Sequence, residues 1–196
     1  IHSGGGVYIN GGHLTVEGDY LIRNEDNTSY SSGRLYMESD SDYVLVHGDF
    51  LMDSVRSHLG YATNSNYGSL TAGTLEIKGN FEQKSSYTGT SNSTYCNAIS
   101  YQCNQNFYAS GSHKVVLSGN GQQTVTFEDP RSENSHFNIL EFVNDPFNIT
   151  FNPAEPTTNS LIYNNRVITL NAFEVNPLSL SLQYDLIMDF GGSGVA

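Results

Sequence analysis

The chain has 196 residues, enough for one large domain or two small ones. Its 8 Lys and Arg against 20 Asp and Glu give a net charge of −12, which argues against nucleic acid, anionic membranes and polyanions as partners. Only 37% of the chain is hydrophobic, yet it holds 13 Tyr and 10 Phe among much Ser, Asn, Thr and Gly, a mixture suited to an all-β fold with many turns.

Four stretches share one pattern. They are His13-Leu14-Thr15-Val16-Glu17-Gly18-Asp19-Tyr20, Tyr43-Val44-Leu45-Val46-His47-Gly48-Asp49-Phe50, Thr74-Leu75-Glu76-Ile77-Lys78-Gly79-Asn80-Phe81 and Lys114-Val115-Val116-Leu117-Ser118-Gly119-Asn120-Gly121. Each reads x-apolar-x-apolar-x-Gly-Asp/Asn, and the glycines stand 30, 31 and 40 residues apart. A period in this range is the signature of a stacked repeat.

Each period holds three short apolar segments. The first set is Val7-Tyr8-Ile9, Leu35-Tyr36-Met37, Leu70-Thr71-Ala72 and Phe107-Tyr108-Ala109. The Gly-Asp/Asn stretches are the second, and Tyr20-Leu21-Ile22, Phe50-Leu51-Met52, Phe81-Glu82-Gln83 and Thr124-Val125-Thr126-Phe127 are the third. Three strands per period predict one turn of a parallel β-helix, a solenoid with long loop insertions. An antiparallel β-sandwich is the alternative, since it also spaces strands regularly. Strand alternation points Leu14, Val44, Leu75 and Val115 inward, and with them Val16, Val46, Ile77 and Leu117. Tyr20, Phe50 and Phe81 form an inner aromatic stack. At the next corner the glycines are expected to turn the chain through a left-handed conformation, and Asp19, Asp49, Asn80 and Asn120 to bond between repeats.

Polar insertions at 23–32, 53–68 and 84–106 fall between repeats, with a shorter connection at 128–136. They are expected to leave one corner together. Cys96 and Cys103 lie in the largest, where a disulfide is the first reading and a metal pair the second. A degenerate fifth unit covers 137–145. Beyond it Pro146, Pro153 and Pro156 interrupt the pattern, and the strands at 161–163, 167–170 and 178–188 look out of register. The predicted organisation is therefore a single solenoid domain over 1–196, with repeats at 1–145 and a degenerate cap at 146–196. Low Lys content favours an extracellular or cell-surface setting. No apolar run of about 18 residues marks a membrane helix. The start at Ile1, with neither initiator Met nor signal peptide, reads as a piece of a larger surface protein.

Candidate chemistry sits on the outward positions. Tyr8, Tyr36, Thr71 and Tyr108 would make a flat ladder at a spacing of about 4.8 Å, able to stack on sugar rings or else to lie under a loop. Tyr61, Tyr67, Tyr87, Tyr95 and Tyr101 lie in the insertions, where Tyr, Ser, Asn and Gly resemble an adaptable binding loop or simply cover the side of the stack. Carboxylate pairs occur at Glu25–Asp26, Asp40–Asp42 and Glu128–Asp129, but all sit beside predicted turns, where solvated carboxylates are usual. Asp40-Ser41-Asp42 is the one candidate cation cluster. The six histidines show no metal spacing and read as solvated or loop-packing. No cofactor is implied.

The repeated Leu-Thr-Val-Glu-Gly-Asp-Tyr, Val-Leu-Val-His-Gly-Asp-Phe and Leu-Glu-Ile-Lys-Gly-Asn-Phe resembles surface proteins of Gram-positive bacteria, and among them the tapirins, over 6–128. The resemblance implies a β-helix and non-catalytic adhesion to insoluble plant polysaccharide such as cellulose. A structural stalk or spacer is the alternative, and a polysaccharide-cleaving enzyme the more distant one.

Overall fold

A computed structural model describes residues 1–23, 33–54, 69–84, 86, 106–128, 135–143, 149–152 and 158–163, the last two segments as main chain. These residues are all-β, with no helix among them. In chain order the strands are β1 (His2–Ser3), β2 (Gly6–Tyr8), β3 (His13–Val16), β4 (Tyr20–Arg23), β5 (Arg34–Tyr36), β6 (Tyr43–Val46) and β7 (Phe50–Asp53). They continue as β8 (Thr74–Ile77), β9 (Phe81–Lys84), β10 (Lys114–Leu117), β11 (Gln123–Phe127), β12 (Phe137–Phe142), β13 (Ile149–Asn152) and β14 (Thr158–Tyr163).

Sheet 1 has the order β1-β4-β7-β9-β11-β13 and sheet 2 the order β3-β6-β8-β10-β12-β14. Sheet 3 pairs β2 with β5 and continues as single bridges Met37–Leu70, Leu70–Ala109 and Tyr108–His136. Every strand pairing among the described residues is parallel. An antiparallel sandwich would need the opposite sense, so that alternative is set aside. The chain visits sheets 3, 2 and 1 in turn and then repeats, each pass adding a strand beside its predecessor.

Register follows the sequence pattern. Leu14, Val44, Leu75, Val115 and Leu140 stand side by side, as do Val16, Val46, Ile77, Leu117 and Phe142. From Val44 onward these are buried, and Leu14 and Val16 are half-buried. Phe50 and Phe81 stack with centroids 5.7 Å apart, Tyr20 meets Phe50 edge-on, and Phe107, Phe127 and Phe137 complete the aromatic interior. Burying each such ring contributes roughly 1.5–3 kcal/mol.

The corner after sheet 2 departs from expectation. Gly18, Gly48, Gly79 and Gly119 do not have positive φ; the left-handed positions are Asn10, Gly11, Gly73 and Gly111, at the corner before sheet 2, with Gly4 and Gly5 near the start. Gly48 and Gly79 are bare for a different reason. A Cβ there would overlap the Oδ1 of Asp19 and of Asp49, folded over from the pass before.

The tail also differs. β14 pairs with β12, with Leu161 opposite Leu140, so 161–163 continues sheet 2 in register. β13 likewise continues sheet 1 beside β11. The candidate strands at 167–170 and 178–188, together with Pro146, Pro153 and Pro156, lie outside the described residues.

Candidate functional site

The corner carboxylates build the site. Asp19 Oδ1 accepts the Asp49 N–H at 2.8 Å, Asp49 Oδ1 the Asn80 N–H at 2.6 Å, and Asn80 Oδ1 the Thr124 N–H at 2.8 Å. Each side chain thus fixes the main chain of the next pass. Asn80 thus reaches Thr124 and not Asn120, and among the described residues Asn120 does not extend the series. The fourth corner is longer, and the buried Gln123 folds back into it, accepting from Gly119 N–H and donating to the Ile77 and Gly79 carbonyls.

Beside this row the outward residues of sheet 1 stand in a second row, Leu21, Leu51, Glu82 and Thr126. Ile1 extends it, since His2 pairs with Ile22 and Ile1 falls opposite Leu21. Together the rows bound an open groove of about 500 Å³, lined by Ile1, Asp19, Tyr20, Leu21, Asp49, Phe50, Leu51, Asn80, Phe81, Glu82, Thr124 and Thr126. The groove crosses four successive passes. Its outward row is apolar at Ile1, Leu21 and Leu51 and polar at Glu82 and Thr126, its rim offers carboxylate, amide and hydroxyl groups, and among the described residues no Lys or Arg lines it. Lys84, the next outward residue of β9, pairs with Glu82 at 3.1 Å, an exposed pair of small energetic weight. Beneath, burial pushes the Tyr20 hydroxyl up to about 12, so Tyr20 stays neutral.

The tyrosine column is arranged differently from a flat ladder. Tyr8 and Tyr36 stack face to face, centroids 4.0 Å apart and planes within 7°. Their facing surfaces are consumed by each other. Tyr8 is 54% exposed and Tyr36 only 7%. Gly6 leaves room for the pair, since a Cβ there would meet both rings. Hydrogen bonding to Tyr36, then desolvation, raises the Tyr8 hydroxyl above its ordinary value. Leu70 bridges Met37, which places Ser69 and not Thr71 beside Tyr36. Tyr108 is half-buried and meets the buried His136 edge-on at 4.3 Å. Tyr61, Tyr67, Tyr87, Tyr95 and Tyr101, with Cys96 and Cys103, lie outside the described residues.

The roots of the insertions do converge. Asn106, buried, accepts from Gln83 and Ser135 and donates to the Ser54 and Lys84 carbonyls. Asp53 accepts from the main chain and hydroxyl of Ser86, both at 2.7 Å. Gly33 N–H donates to the Arg23 carbonyl, closing the first insertion.

The remaining candidates are occupied structurally. Asp42 is buried and accepts from the Gly11, Glu38 and Ser39 N–H groups. Asp40 accepts from the Ser112 hydroxyl. Asp42 is therefore a turn cap, and among the described residues no three His, Cys, Asp or Glu gather around a metal-sized space. Glu25, Asp26 and Asp129 lie outside the described residues. His113 and His136 are buried, not solvated. Burial holds the His113 imidazole down at about 3, and neither ring nitrogen has a hydrogen-bond partner. On the outer face of sheet 2, Glu76 accepts from Tyr43 at 2.5 Å and Ser118 at 2.6 Å.

No known protein family, curated protein or solved structure matches this chain. The groove's floor residues escape a reading centred on tyrosine. Their signal was present, however: Leu21 and Leu51 fill equivalent outward positions of strands whose inward neighbours already supply the core.

Proposed function

We propose that the chain is a parallel β-helix acting as a non-catalytic adhesion module, which holds a neutral, insoluble polysaccharide such as cellulose along the sheet 1 groove. One observation carries the reading: a groove that is apolar at Ile1, Leu21 and Leu51, with hydrogen-bonding groups on Asp49, Asn80, Glu82 and Thr126, runs across four passes. Passes repeat at about 4.8 Å, close to the length of one sugar ring along a linear chain, so successive sugars meet Leu21, Leu51, Glu82 and Thr126 in turn. Leu21 and Leu51 suit the C–H faces of the rings, and Asp49, Asn80 and Thr126 suit their hydroxyls. Net negative charge disfavours anionic polymers. Asp19 and Asp49 each hold main chain, a role of framework and rim rather than of acid and base. This use fits display at a bacterial cell surface within a larger protein, as the tapirin-like pattern implies. The test is depletion from solution by microcrystalline cellulose and other insoluble neutral glycans, beside an anionic polysaccharide. Retention on a neutral glycan alone is expected; retention on none contradicts the reading.

A further inference from the structure

The first pass carries the features of an interface with nothing on it among the described residues. Sheets 1, 2 and 3 all end there, at β1, β3 and β2. Val7, Ile9, Leu14 and Val16 are half-buried, whereas their counterparts Leu35, Met37, Val44 and Val46 are at most 1% exposed. Tyr8 presents a bare ring face where Tyr36 presents a covered one.

The corner is more specific. His47, Gly48 and Asp49 donate their N–H groups to Val16, Gly18 and the Asp19 carboxylate of the pass before. Glu17, Gly18 and Asp19 stand in the same places, and their N–H groups have no partner among the described residues. Gly48 and Gly79 must be glycine because a carboxylate from the preceding pass lies where a Cβ would go. Gly18 lacks positive φ and has nothing within 4 Å of its would-be Cβ. Nothing inside the structure requires a glycine at position 18.

We propose that this end receives one further parallel β-pass, which sets an Asp or Asn side chain over Gly18 to accept the Asp19 N–H. The surface is continuous with the interface the chain already forms between its own successive passes. The occupant is defined by chemistry: an extended segment with the x-apolar-x-apolar-x-Gly-Asp/Asn-aromatic pattern, its apolar residues on Leu14 and Val16 and a ring on Tyr8. A helix or a flat protein face meets neither the free edges of β2 and β3 nor the bare glycine, while β1 already covers β4. The proposal stands on the pairing geometry and is independent of what the groove binds.

The test places a second copy of residues 34–50 directly ahead of Ile1. That junction puts the copied Phe in register with Tyr20, because Ile1 already stands opposite Leu21. The copied Asp49 then falls over Gly18. Hydrogen exchange at Glu17, Gly18 and Asp19 is expected to slow by roughly tenfold or more, as protection accompanies burial and pairing. Gly18→Ala is expected to be harmless in the chain as it stands and to lower the unfolding midpoint in the extended chain. Unchanged exchange on extension, or equal effects of Gly18→Ala in both backgrounds, would overturn the proposal. So would concentration-dependent dimerisation of the present chain that protects the same amides, since the occupant would then be a second copy.

Discussion

A carboxylate from one pass presses on the glycine of the next, and the fit leaves no room for a methyl group. Gly48→Ala is expected to cost about 1–3 kcal/mol, the usual penalty for overpacking. Gly121→Ala, where nothing lies within 4 Å, is expected to be near neutral. Urea denaturation of both variants checks this, and equal effects would contradict it. The sequence shows the recurrence of these glycines clearly. It does not show their reason, because conformational freedom and close approach both select glycine, and only the fold of Asp19 over Gly48 separates them. The Tyr43–Glu76 bond gives a second residue-level expectation. Burial, then the bond to Glu76 and its charge, pushes the Tyr43 hydroxyl up to about 12 from 10.0. For Glu76, burial acts upward but is outweighed by Ser118, Tyr43, Lys78 and His47, and the net value falls below 4.5. Tyr43 therefore contributes stability fully below its unfolded value near 10, lost as pH rises through 12. Glu76 contributes above its unfolded value, lost as pH falls through its lowered folded value. In Glu76→Gln the Tyr43 titration, followed by ultraviolet absorbance, is expected to move down but to stay above 10.0, since burial remains. An unmoved titration would contradict the assignment.

Among the elements, the strands were legible and the connections between them only in part. Alternation of apolar residues placed Val44, Leu75 and Val115 on one inward row, because a one-residue slip would expose the whole set. Sheet 3 was less legible, since its later strands shrink to single bridges and the pattern around Leu70 is too short to fix register. The repeat pattern therefore points to Thr71 at the position that Ser69 holds. The convergence of the insertions depends on buried polar groups that carry no period. Asn106 makes four hydrogen bonds there, and its loss strands partners from both flanking strands. Asn106→Ala is expected to destabilise by about 2–4 kcal/mol, as unsatisfied buried groups cost about 1–3 kcal/mol each. Its urea midpoint should fall well below that of a half-buried Asn138→Ala control. Similar midpoints for the two would contradict the role given to Asn106.

At the scale of the whole molecule, stacking turns single residues into rows, and rows into surfaces. The inner rows make the core. The outer rows of sheet 1 make a groove that no single strand contains. That surface was half legible: the Asp and Asn row follows from the repeat, whereas Leu21 and Leu51 look like ordinary core leucines until the strand phase is fixed by Tyr20 and Phe50. The tyrosines are conspicuous in the sequence, yet Tyr8 and Tyr36 spend their facing surfaces on each other. The most direct measurement compares binding of the intact chain, Leu51→Asp and Tyr36→Phe to insoluble neutral glucan by depletion isotherm. The account predicts that Leu51→Asp abolishes retention while leaving the unfolding midpoint nearly unchanged, and that Tyr36→Phe retains it. Undiminished binding by a folded Leu51→Asp would contradict the groove as the site.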